Sequence, residues 1–170
     1  MANGSVNSQF QFVSYKIDKI KMNLTNKVSY LMDNNPITPE NAKLAVRIGN
    51  PSKYFINEKI HYLCNVGTKL EILSSENENV LTGEFGITGV FTTDGNVDKI
   101  TEEKMVKINM PALLMPYLRA AMTNILSNAG FGTMLFPLVN VYEIAKTQNL
   151  SIIDHSENAL PPSPQLDNEP

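Results

Sequence analysis

A thiol and an imidazole within reach of one another make a nucleophile and its base, so Cys64 and His61 are weighed first. Both fall in IHYLCNVGTKLEI, where Ile60, Tyr62, Cys64, Val66, Leu70 and Ile72 occupy even positions. That alternation belongs to a strand, and strand residues three apart point to opposite faces. The two side chains therefore diverge, and the pair reads as a buried cysteine and a surface histidine. His155 is isolated, and two lone histidines with one cysteine lack the spacing of a metal site. Glu102 beside Glu103, and Glu76 with Glu78 in a polar turn, read as solvated surface. Gly83, Gly86 and Gly89 recur inside a strand, where glycines mark bends or close backbone approach more often than a nucleotide cradle. Phosphate-loop, GxSxG and HExxH motifs are missing. These residues support no catalytic role, no metal and no cofactor.

The elements around them describe one domain. With 170 residues, 42% of them hydrophobic, the chain suits a single core with tails. Its formal charge of −3 and the lack of a basic cluster argue against a nucleic-acid groove. Residues 154 to 170 carry Asp154, Glu157, Asp167 and Glu169 with no Lys or Arg, which leaves the body near neutral. Expected are a loose N-terminus over 1–9, a folded domain over 10–150 and a disordered, acidic, proline-containing tail over 151–170. A lone cysteine and the absence of an apolar run of about 18 residues predict a cytoplasmic protein that does not insert into a membrane.

FQFVSYKIDKIKMNL, residues 10–24, alternates but changes phase, as a strand with a bulge would. A long crossover loop over 25–42 follows, containing Val28, Tyr30, Leu31 and Met32. Three further strands are predicted near 44–48, 60–72 and 81–91, with SSENEN as the last hairpin connection. After TTDGNVDKITEE the period becomes helical: Leu114, Leu118, Met122 and Ile125 recur at threes and fours. Pro116 suits a first helical turn, Gly130 a stop and Asn140 the cap of a second helix. Strands first and helices afterwards predict an α+β domain, a four-stranded antiparallel sheet with two C-terminal helices on one side.

Met110, Met115, Met122 and Met134 join Tyr117, Phe131, Phe136 and Tyr142 within a short stretch of adaptable apolar side chains. They fill the chain's own core, meet sister subunits, or receive something from outside. LMPYLRAAMTNILSNAGF followed by GTMLFPLVNVYEIA resembles the signature of the SecB family of bacterial protein-export chaperones. FQFVSYKIDKIKMNL and LTGEFGITGVFTTDG resemble the first and fourth strands of that family.

The resemblance implies a dimer of dimers, with the first helix at the tetramer interface through Leu118, Met122 and Ile125. It implies an ATP-independent holdase with a long apolar groove for unfolded preproteins. The groove would take Tyr117, Phe131, Met134, Phe136, Val141, Tyr142 and Ile144, with Leu81 and Phe85, and Val28, Tyr30, Leu31 and Met32 from the crossover loop. Glu84 stands where the family presents an acidic residue to the translocation motor SecA. The tail ALPPSPQLDNEP is unlike the usual SecA-docking end, so a dedicated chaperone of an antitoxin or other narrow clientele is the alternative. A small-ligand-binding or enzymatic α+β domain is the alternative of another class.

Overall fold

Strands β4 (Lys59–Leu73) and β5 (Asn79–Thr93) form the spine of the computed structural model, which describes residues 9–25, 40–93, 95, 97–131 and 136–156. Even-numbered residues of β4 pair with odd-numbered residues of β5, from Tyr62 beside Phe91 to Ile72 beside Leu81, so the two apolar sets share one face. The connection is the expected hairpin. In it the Ser74 hydroxyl oxygen accepts from the backbone N–H groups of Glu76 and Glu78, and Asn77 takes the left-handed conformation.

β1 (Phe10–Leu24) pairs antiparallel with β5, with irregularities between Phe12 and Ser14 and between Ile17 and Lys19. The expected phase change is thus two bulges, at Val13 and Asp18. Each extra residue resets the alternation. As a result Phe12, Tyr15, Ile17, Ile20, Met22 and Leu24 all stand opposite odd-numbered β5 residues, on the core face.

On the far side of β4 the sheet divides. β2 (Ala42–Ile48) pairs with one half of β4 and β3 (Ser52–Ile56) with the other, and β6 (Ile153–Asp154) runs parallel to β3. The sheet therefore has six strands and is mixed, which corrects the four-stranded antiparallel expectation. SKYFI escapes sequence reading because it is short and its turn to β4 passes through Asn57 and Glu58, both at positive φ, where Glu gives no turn signal. β6 lies within the segment expected to be a tail. There the Ile153 N–H donates to the Pro51 carbonyl and the His155 N–H to that of Lys53, each at 2.8 Å.

The helical region begins earlier than expected, with α1 (Lys99–Lys104). It passes through a wide π turn (Met105–Asn109) into α2 (Met110–Leu126), and a second wide turn (Ser127–Phe131) ends at Gly130, φ 93°. Pro111, not Pro116, occupies the first-turn position of α2. Pro116 is inside the helix on its exposed side, as is Ala112, whose carbonyl its missing N–H leaves without a helical partner.

Asp98 starts α1, its carboxylate accepting from the N–H groups of Ile100 and Thr101. Hydrogen bonding by Thr101 holds the Asp98 carboxyl below its usual range. A depressed native pKa contributes stability above the unfolded value and loses it as pH falls through the native one. Asp98→Asn is therefore expected to flatten the acid limb of a stability-against-pH curve at about pH 4 and below.

Asn140 caps α3 (Val141–Thr147) as expected, its side-chain oxygen accepting from the Glu143 N–H at 3.2 Å. Asn140→Ala should cost about 1 kcal/mol, read as a lower urea midpoint.

Met110, Leu114, Leu118, Met122 and Leu126 recur at every fourth position of α2, all of them buried. They press on β4 and β5, where the Thr68 hydroxyl donates to Met122 Sδ at 3.1 Å. A Cβ on Gly89 would come within 2.5 Å of Leu114 Cδ2, so this glycine is what lets helix and sheet approach. At the other end Tyr62 Oη donates to Glu102 Oε1 at 2.5 Å, and Lys53 Nζ reaches the same oxygen at 2.7 Å. Burial, with the Glu102 carboxylate, pushes the Tyr62 hydroxyl pKa up.

Candidate functional site

α2 lies over β5 and β4, and the core face of β1 extends beyond it. Phe12 (37% exposed), Tyr15, Ile17, Ile20 (55%) and Leu24 consequently stand open along that face of the strand. At the Phe12 end of this strip the Tyr117 ring, from α2, lies 4.7 Å from that of Tyr15 and 5.6 Å from that of Phe12. Phe12 rests in turn 5.1 Å from the buried ring of Phe91, which roots the exposed cluster in the core.

The outer side of α2 continues the surface without charge, through Ala112, Leu113, Pro116, Tyr117 and Ala120. The one charged side chain of this helix, Arg119, is turned aside to the Phe136 carbonyl at 2.6 Å. β1 is also terminal in the sheet, so among the described residues no strand lies beside its outer backbone edge. Fully burying a large apolar side chain stabilises by about 1.5–3 kcal/mol, so a contiguous group of this kind favours association with another polypeptide.

Acid–base or nucleophilic chemistry has no comparable geometry. Cys64 is buried on the core face, and burial pushes its thiol up to about 12. His61, paired with Thr92, belongs to the opposite face of the sheet. Among the described residues no three of His, Cys, Asp and Glu stand close enough to hold a metal ion.

The family described as preprotein translocase subunit SecB matches the sequence over residues 43–149, more than half of the chain. The chain belongs to the SecB family. A SecB-like chaperone of Mycobacterium tuberculosis, solved in complex with a ChAD peptide from an antitoxin, is similar in structure. Its TM-score is 0.52 at 10% identity, over 77% of this chain and 91% of that one, so the likeness is one of fold. No curated protein matches the chain.

In this SecB-family chain the expected site residues separate into three groups. Tyr117 and Tyr142 (54% exposed) are at the surface, and Ile144 and Phe131 are half-buried. Leu81, Phe85, Phe136 and Val141 are buried in the subunit's own core. Met134, Val28, Tyr30, Leu31 and Met32 lie outside the described residues. Of the expected interface residues, Leu118 and Met122 are buried beneath α2 and Ile125 is half-buried at its flank. The every-fourth stripe facing the sheet holds the first two, while Leu113 and Tyr117 are exposed on the outer side of α2.

Glu84 lies on the helix-free face, paired with Lys19 at 2.5 Å. Hydrogen bonding and charge from Lys19, with Lys21 and Lys69 nearby, hold its carboxyl below the usual range. Phe12, Tyr15, Ile17, Ile20 and Leu24 went unassigned in the sequence reading. Their signal is the spacing 12, 15, 17, 20, in which two steps of three mark bulges that keep these residues on one side.

Proposed function

We propose that this protein is an ATP-independent chaperone that holds unfolded or unstructured polypeptide segments on the open apolar face of β1 and α2. The observation that carries the reading is the rooted cluster of Phe12, Tyr15 and Tyr117 on an uncovered strand in a chain of the SecB family. An extended client adds backbone hydrogen bonds along the β1 edge, while half-exposed rings and aliphatic side chains take its apolar residues without demanding one sequence. Tyr142, Ile144 and Phe131 extend this surface toward α3, and Met134 with the crossover group Val28, Tyr30, Leu31 and Met32 completes it.

Four copies associate as a dimer of dimers in the cytoplasm. Light scattering of a chemically denatured client, diluted into buffer without nucleotide, tests the activity. Scattering should fall as the protein approaches molar excess, and unchanged scattering at several-fold excess overturns the reading.

A second reading concerns breadth. Holding preproteins for export requires coupling to SecA, for which Glu84 is the candidate contact, yet its carboxylate is neutralised by Lys19 and flanked by Lys21 and Lys69. That charge pattern favours a narrow clientele, such as an antitoxin, over docking of a motor through an acidic face. Proteins co-purifying from the native cell decide between one dominant client and many secretory precursors with SecA.

A further inference from the structure

The helix-free face of the sheet carries a different chemistry. Its rows run across four strands: Lys19, Gly86, Gly67 and Arg47 in one, Lys21, Glu84, Lys69 and Ala45 in the next. Lys16 and Lys43 lie in the flanking rows beside Thr88 and Glu71. Among the described residues, six cations thus stand in these rows against the three carboxylates Asp18, Glu71 and Glu84. Asp18 is held by the side chains of Asn65 and Thr88, Glu84 by Lys19, and Glu71 by Lys69 at 3.3 Å. Among the described residues Lys16, Lys21, Lys43 and Arg47 make no ion pair, and all four are exposed. Between Lys19 and Arg47, where the two glycines offer no side chains, the face is hollowed into a cavity of about 720 Å³.

We propose that this cationic hollow is the docking surface for the chain's own acidic C-terminal segment, residues 157–170. The charges are complementary: the segment holds Glu157, Asp167 and Glu169 and no Lys or Arg. Its starting point is also suitable. His155, just before it, stacks on Tyr54 at 4.8 Å, and Tyr54 is paired with His61 on the helix-free face. From Asp154, beside Lys53 and Tyr62, to Gly67 is roughly 20 Å at about 3.3 Å per residue along a strand and 4.8 Å between strands. Fourteen extended residues reach about 46 Å, so the acidic end spans the distance with slack. The contact is electrostatic and solvent-exposed, hence weak, dependent on salt and exchangeable with another acidic polypeptide. It stands independently of client binding, which concerns the opposite face.

Zero-length carbodiimide cross-linking of the full chain tests this, using an equal mixture of unlabelled and ¹⁵N-labelled protein at low salt. The expected products join Glu157, Asp167 or Glu169 to Lys16, Lys19, Lys21 or Lys69 within chains of one isotope. Their yield should fall at least about fivefold in 0.5 M salt, where screening acts within about 4–5 Å. Arg47→Glu, which removes a cation that is not itself cross-linked, should lower the same yield, with circular dichroism checking the fold. Tail links spread equally onto Lys99, Lys104 and Lys146, or no tail links at all, overturn the proposal. Links mainly between unlike isotopes overturn it too, by assigning the face to the tail of a second copy.

Discussion

Replacing Phe12, Tyr15 and Tyr117 together by alanine is expected to weaken the hold on an unfolded client by roughly 30-fold or more, leaving a folded protein. The three rings pack together as the aromatic part of the open face, and together they offer the client about 2–4 kcal/mol of the apolar burial it gains. More than half of each side chain is already covered within the chain, so the triple change also lowers the protein's own stability, by roughly 3–5 kcal/mol. The check is a pair of measurements on one sample: the concentration needed to halve client aggregation, and the urea midpoint. A large change in the first, in a protein that the second shows to be still folded, supports the assignment. Unchanged suppression by the folded variant moves the client site elsewhere, toward Tyr142 and α3.

Leu118→Ala should lower unfolding free energy by about 2–5 kcal/mol, the range for deleting a large aliphatic side chain from a packed core. Leu118 is 0% exposed within the single chain and sits mid-stripe, between Leu114 and Met122 against the sheet. The loss should be the same at low and high protein concentration, because the cavity opens inside one subunit. Were Leu118 an intersubunit contact, the loss would depend on concentration, since association then contributes to the stability being measured. Urea titrations at two concentrations a hundredfold apart separate these cases.

Most of the fold is legible where periodicity is long. The even residues of β4 and the odd residues of β5 announce two half-buried strands, and Gly130 and Asn140 mark helix ends in the structure as in the sequence. Short elements are lost: β3 and β6 are too brief for a period to emerge, and β6 exists only because Pro51 and Lys53 offer it carbonyls from afar. Pro116 misplaces the helix start because a proline suits a first turn, while Asp98 and Pro111 set the start earlier. The functional surface is legible only in part. Alternation says that a strand has an apolar face, but whether a helix covers it is a tertiary fact, and that fact separates β1 from β4. The same limit explains Leu81, Phe85, Leu118 and Met122, apolar residues whose burial follows from what lies above them.

The two bulges of β1 have a consequence for the protein's own safety. A surface able to receive unfolded chains, beside an open 15-residue strand edge, is also a template on which further strands could stack without end. Bulges bend and twist a strand locally, which spoils the flat register that continued stacking needs. Lys16, Lys19 and Lys21 alternate with the apolar residues, so any added strand also meets a row of like charges. On the proposed function, β1 accepts a short segment while resisting self-propagation, so the protein is kept from aggregating along its own open edge.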